Sequence, residues 1–134
     1  MRIVVDASVL IAALGRPGVC TELLDEVVRD HTLILSEYIL AEVQRKLHEK
    51  FGVPEDAAGA LASGLRATCG ELVVPAPVPV GACRDPDDLP ILGTAVAAQA
   101  KFLITVDKDL LTLGHYERTL IVKPGNFWRC LRGG

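Results

Sequence analysis

Residues 1–14, MRIVVDASVLIAAL, hold the stretch from which the fold is read: Asp6 stands between two apolar runs, Ile3–Val5 and Val9–Leu14, with Ser8 two residues on. A carboxylate is costly to bury unless something meets its charge. Either the chain turns at Asp6 and displays the acid, or a metal ion receives it. The β-branched run Arg2–Val5 reads as a buried strand. Ala7–Leu14 then reads as one or two helical turns, stopped by Gly15-Arg16-Pro17-Gly18.

The same alternation continues outward. Cys20–Arg29 puts Leu23, Leu24, Val27 and Val28 on one helical face. Thr32–Leu35 is a second strand, and Ser36 is a natural N-cap for a helix from Glu37 to about Lys50. Pro54 starts a helix that ends near Gly70, and Leu72–Val74 is a short third strand. The proline-rich connector PAPVPVGACRDPDD follows as an ordered loop. A helix over Asp88–Ala100, strands at Phe102–Thr105 and Leu120–Val122, and a closing helical turn at Asn126–Leu131 complete the chain. Strands alternating with helices predict a three-layer α/β/α sandwich around a central parallel sheet, with residues 1–134 forming one domain.

Composition narrows the partners. Half of the residues are hydrophobic and 23% are charged, which excludes disorder. The net charge of −3 supplies no global basic field, so any nucleic-acid contact must be local. Cys20, Cys69, Cys83 and Cys130 form no C-x-x-C pair, and the histidines add no zinc-ligand spacing. They read as free thiols of a reduced cytoplasm. No apolar run approaches the roughly 20 residues of a membrane helix, and Asp6 interrupts what could pass for a signal peptide. The expectation is a cytoplasmic protein with no membrane attachment.

In an open parallel sheet, ligands bind beyond the carboxyl ends of the strands. Asp6 follows the first strand. Glu42 lies in the helix after the second, beside the buried stripe. Asp85-Pro86-Asp87-Asp88 opens the helix after the third, and Asp107 and Asp109 follow the fourth. Each acid has an ordinary reading by itself: Asp88 as a helix cap, Glu42 as a solvated helix residue, Asp107 and Asp109 as turn residues. Four segments delivering carboxylates to one rim are a different matter. Without a cation they would repel and raise one another's pKa. Oxygen-only ligands select magnesium or manganese over zinc. Such a site suits phosphodiester hydrolysis by metal-activated water, with Ser8 and Thr105 orienting ligands. Lys108, Arg84 and Arg45, with Arg16 and Lys46, are candidates to meet the phosphates of such a substrate.

IVVDASVL, SEYILAEV, RDPDDLPIL and FLITVDKDLL, in this order and nearly end to end, resemble the PIN domain family, in particular its toxin components of toxin–antitoxin pairs. The resemblance implies a Rossmann-like fold and a magnesium- or manganese-dependent ribonuclease. It maps an acidic quartet to Asp6, Glu42, Asp88 and Asp107, with Asp109 close behind and either of the last two as the nearer ligand. It also implies an RNA substrate, a small antitoxin protein as partner, and a homodimer as one possible assembly. Two departures stand out, Leu89-Pro90 after Asp88 and KPGNFW near the end.

Three other readings fit the residues less well. A haloacid-dehalogenase-type phosphatase wants a second aspartate where Ser8 stands. A phospho-receiver domain wants paired acids after the first strand, where Asp6 is alone. A non-catalytic PIN-fold module binding RNA or protein would have lost the acids that this chain keeps.

Overall fold

The computed structural model describes residues 1–133. Strand β1 (Arg2–Val5) is the centre of the molecule, with Ile3, Val4 and Val5 wholly buried. It is followed by α1 (Ala7–Gly15), α2 (Val19–Asp30), β2 (Thr32–Leu35), α3 (Glu37–Phe51), α4 (Glu55–Thr68) and β3 (Glu71–Leu72). A long connector with 3-10 turns at Val80–Ala82 and Pro86–Asp88 leads to α5 (Leu89–Ala98). Then come β4 (Phe102–Ile104), α6 (Lys108–Leu113), β5 (His115–Tyr116), β6 (Thr119–Val122) and α7 (Phe127–Arg132).

The strands lie in the order β3-β2-β1-β4-β6-β5. All neighbours pair in parallel except β5 with β6, which are antiparallel. From β1 the chain steps outward through β2 to β3, then crosses back to β4 on the other side of β1. Right-handed crossovers running in opposite directions place α1–α4 on one face and α5 and α6 on the other. This is the expected α/β/α sandwich. The reversal makes the carboxyl edge between β1 and β4 the topological switch point, where such sheets open a crevice. No single helix among the described residues is long and apolar enough to cross a membrane.

Local chemistry sets the element ends. Ser36 caps α3, accepting from the Ile39 N–H at 3.4 Å, and its hydroxyl shares a buried 2.8 Å hydrogen bond with that of Thr94 on α5. Gly52 closes α3 in the left-handed region (φ 69°). At the far end, Phe127 is fully buried and stacks edge-on against Phe102, ring centroids 5.4 Å apart, which docks α7 on the core.

Several expected boundaries move. The third strand occupies Glu71–Leu72 rather than 72–74. Gly70 and Val73 still donate to the Leu33 and Leu35 carbonyls, but Pro75 has no N–H with which to extend the ladder. The fourth strand stops at Ile104, and the helix expected over 88–100 is α5, preceded by the 3-10 turn that carries Asp88. Helix α6 and strand β5 leave no pattern in the sequence. Six residues are too few to show a helical stripe, and the β5–β6 turn uses Glu117 at φ 50° instead of the usual glycine or asparagine. The closing turn is a 3-10 turn at Pro124–Asn126 running into α7.

The connector that carries Asp88 is held to α5 at Gly93. The Ala76 N–H donates to the Gly93 carbonyl at 2.9 Å, and a Cβ on Gly93 would collide with the Ala76 carbonyl oxygen. Neither backbone can yield without breaking that bond. Gly93→Ala should therefore destabilise the fold by about 1–3 kcal/mol, the range of core overpacking. A lowered urea midpoint with unchanged slope is the expected reading, and a midpoint at or above wild type would refute the tight approach.

Candidate metal centre

Asp6 ends β1 at the switch point and is 5% exposed. It caps α1, with Oδ1 accepting from the Ala7 N–H at 2.7 Å, while Oδ2 accepts from the Thr105 hydroxyl at 2.7 Å. Thr105, just beyond β4, is fully buried, and its Oγ1 in turn accepts from the Asp107 N–H at 3.0 Å. Asp107 then caps α6, Oδ1 accepting from the Leu110 N–H at 3.0 Å. One hydroxyl thus stitches the end of β1 to the segment after β4 and fixes both acids. Burial pushes the Asp6 carboxyl above its ordinary range, partly offset by the bonds from Thr105 and Ala7.

Asp88 arrives from the opposite side, in the 3-10 turn before α5. It is 6% exposed, and its Oδ2 has no hydrogen-bond partner. Burial, then the Asp107 carboxylate beside it, then Asp85 and Asp6, push its carboxyl up to about 7. The turn itself is tied down by Tyr38 of α3, whose hydroxyl donates to the Asp87 carbonyl at 2.7 Å. Burial and the charges of Glu42, Asp87 and Asp88 push that phenol up to about 12, so it stays a donor.

Asp6, Ser8, Glu42, Asp88 and Asp107 line one polar cleft of about 230 Å³, together with Tyr38, Arg45, Lys46, Lys50, Asp85 and Asp87. The four acids read from sequence are therefore brought together, and Ser8 and Arg45 with them. Glu42 faces the cleft already paired, 2.8 Å from Arg45 and 3.8 Å from Lys46. Thr105 lies beneath the wall rather than on it. Asp109 is not on the cleft wall. Its carboxylate groups instead with those of Asp85 and Asp88, one oxygen of each within 4.8 Å of the others. Lys108 and Arg84 are exposed and do not line the cleft.

Tyr38, Lys50, Asp85 and Asp87 also line the cleft, although none carries an individual signal in the sequence. Tyr38, Glu42, Arg45, Lys46 and Lys50 follow at helical spacing along one face of α3, a pattern legible once Glu42 is taken as the anchor. Asp85 was hidden in an acidic run that reads as helix-cap chemistry, and it does accept from the Asp87 N–H at 3.0 Å.

The donor set fits a hard divalent cation. It is oxygen-only, and the buried Asp88 oxygen lacks a partner beside other carboxylates. Cys83, buried beside it, offers no thiolate: burial first, and the charges of Asp88 and Asp109 further down, push its thiol up. No histidine or cysteine lines the cleft among the described residues, so the site lacks the nitrogen and sulfur ligands that zinc prefers.

A family model described as PIN domain matches residues 2–109, most of the chain and every acid of the site. The chain belongs to the PIN domain family. No curated protein sequence matches it. Among solved structures, it is similar to a chain of VapBC2 from Rickettsia felis, crystallised bound to a DNA fragment from their promoter. The two share 13% identity and superpose with a TM-score of 0.63 over 92% of this chain and 98% of that one. At that identity the likeness speaks for the fold, and the PIN fold is the one built here.

Thr105 is the member of this site whose role is purely positional. Thr105→Val keeps the shape but leaves the Asp6 Oδ2 and the Asp107 N–H without their partner, at a cost of about 1–3 kcal/mol. Thermal denaturation should show the loss, and Thr105→Ser should restore most of it. A valine variant as stable as wild type would show that the bridge does not hold the rim.

Proposed function

We propose that this PIN domain is a magnesium- or manganese-dependent endoribonuclease that hydrolyses RNA phosphodiester bonds, acting as the toxin of a toxin–antitoxin pair. The observation that carries the reading is Asp88: a buried carboxylate with an unpartnered oxygen, in a cleft shared with Asp6, Glu42 and Asp107. Asp6, Asp88 and Asp107 are the residues that would hold the ion, since each is fixed at a strand end or helix start and cannot swing away. Asp109, beside Asp88, is a further ligand candidate. When bound, a divalent ion supplies a Lewis acid that lowers the pKa of water and offsets charge on the transferring phosphoryl group.

The chain's own side chains do the rest. Thr105 and the Ala7 N–H orient Asp6. Ser8 places a hydroxyl on the cleft wall. Glu42 holds Arg45 and Lys46 against the acidic cleft, where their positive charge can meet a phosphate that the carboxylates alone would repel. Lys50, exposed on the same face of α3, extends that path outward. Arg84 and Lys108, outside the cleft, are candidates to contact RNA that runs beyond it. The cleft contains no Ser-His or Cys-His pair to form a covalent intermediate. Direct attack by water leaves a 5′-phosphate on the downstream product.

The antitoxin part of the proposal is supported by a second depression. Ile11, Leu14, Leu47, Phe51, Val53 and Leu61 line an apolar groove of about 700 Å³ that meets the acidic cleft at Ser8. Phe51 is 64% exposed in it. Apolar surface left open beside a reactive cleft suits a protein partner that covers both.

Labelled single-stranded RNA incubated with purified chain, freed of any bound inhibitor, should be cut internally in manganese or magnesium and left intact in EDTA. Asp6→Asn and Asp88→Asn should each lower the rate by about 100-fold or more, because a charged ligand is lost. Cleavage that survives EDTA or Asp6→Asn would overturn the mechanism, and an inert protein across a broad RNA panel would favour a non-catalytic binding module. Lys50→Ala should act differently. It should weaken RNA binding across sequences and reduce the salt slope by about one unit, with cleavage of saturating RNA largely preserved. An unchanged salt slope would take Lys50 off the RNA path.

A further inference from the structure

The edge of the sheet opposite the acids carries the reverse charge. Arg2 opens β1, Lys101 stands just before β4 and Arg118 just before β6, and these three strands are neighbours running in parallel. Their amino ends therefore meet. With Met1, Gln99 and Ala100 they line a depression of about 450 Å³, and no acid among the described residues lines it. Four residues of β1, at about 3.3 Å each, set this edge about 13 Å from the one that carries Asp6. The depression is not part of the acidic cleft.

What it offers a ligand follows from which polar groups are already used. The Met1 carbonyl accepts from the Thr32 N–H at 2.8 Å, that of Arg2 from the Lys101 N–H at 2.8 Å, and that of Lys101 from the Leu120 N–H at 2.9 Å. The Ala100 carbonyl accepts from the buried Thr119 hydroxyl at 2.7 Å. The sheet itself thus occupies these acceptors. The cationic donors are open. Lys101 and Arg118 are exposed and form no ion pair among the described residues, although Glu117 adjoins Arg118 in the chain. Arg2 is anchored, donating to the Ala98 carbonyl at 2.6 Å and to Glu71 at 2.7 Å. Gln99 closes α5 in the left-handed region at φ 50°, where glycine would sit without strain, and so places a side-chain amide beside the cations.

Open cationic donors around satisfied acceptors suit an anion. Arg118 brings a planar fork that can meet two phosphate oxygens, and Lys101 a point charge. No aromatic side chain lines the depression to stack on a base, so recognition falls on phosphate rather than on nucleobase. We propose that Gln99, Lys101 and Arg118, beside the anchored Arg2, form a phosphate-binding pocket on the amino edge of the sheet, separate from the acidic cleft and independent of its chemistry. A nucleic-acid backbone and a free phosphate present the same oxygens, and the test separates them.

Binding is measured in EDTA, so that no cleavage enters. Isotope-labelled chain is titrated with inorganic phosphate at constant ionic strength and followed by its amide NMR signals. Labelled single-stranded RNA and duplex DNA are titrated by fluorescence anisotropy over a range of salt. Wild type should show saturable shifts centred on Gln99, Lys101 and Arg118, absent from Lys101→Ala/Arg118→Ala. For a polymer that docks here, the double variant should reduce the slope of log affinity against log salt by about one to two units, because two phosphate contacts are lost. Both side chains are exposed and unpaired, so its melting temperature should match wild type. Lys123→Ala/Arg132→Ala removes equal charge from exposed positions outside the pocket and should leave the slope unchanged. A slope lowered for RNA, for DNA or for both identifies the backbone that docks. Phosphate shifts with neither slope altered assign the pocket to a free phosphate ester. Absent shifts together with unaltered slopes overturn the proposal, as does a slope that falls equally in the control pair.

Discussion

The buried hydroxyl of Thr105 bridges the two strands from which everything else at the rim is hung. It donates to Asp6 at the end of β1 and accepts from the Asp107 N–H beyond β4, in a place where no water can substitute. In a low-dielectric surrounding such bonds are strong when made and costly when missing. With them in place, Asp6 and Asp107 cap α1 and α6, so the acids proposed to hold the ion also start the helices. The site and the fold share atoms. The carboxylates are rigid because the backbone would fray without them.

Opposite that fixed pair, the turn with Asp85 and Asp88 is delivered by a connector of a different character. It carries prolines, leaves the sheet at Pro75, touches α5 at Gly93 and is tied to α3 by Tyr38. Proline reduces the freedom of the unfolded segment, and the contact at Gly93 admits no side chain. Asp88, buried beside the Asp107 carboxylate, is therefore held by a strap rather than by the sheet. A cleft assembled in two halves, one on strand ends and one on a pinned loop, brings like charges close without asking a single element to bear the repulsion.

Positive charge is distributed with the same economy. Along α3, Tyr38, Glu42, Arg45, Lys46 and Lys50 share a face, so an acid and three bases reach the cleft from one helix. Glu42 keeps two of the bases close, which tempers a cleft that would otherwise be uniformly negative and would repel a phosphate. The chain's overall charge of −3 conceals this local balance.

The α/β class, β1, β2, most helices and the four acids Asp6, Glu42, Asp88 and Asp107 were legible in the sequence. Apolar periodicity reports burial, and an acid directly after a β-branched run reports the end of a strand. Short-range patterns could not reveal α6 and β5, which are too short to be periodic, nor the early end of β3. Pairing was also beyond their reach. That Asp109 would group with Asp85 and Asp88 without lining the cleft, and that Lys108 and Arg84 would stand outside it, depend on distances between segments far apart in the chain, and that Glu42 would face the cleft with Arg45 and Lys46 depends on how α3 packs. By itself the sequence determined which residues carry charge and where strands give way to helices, because those properties are local. Only the tertiary structure decided which charges face one another and which lack a partner, because a carboxylate's neighbours are set by how the layers pack.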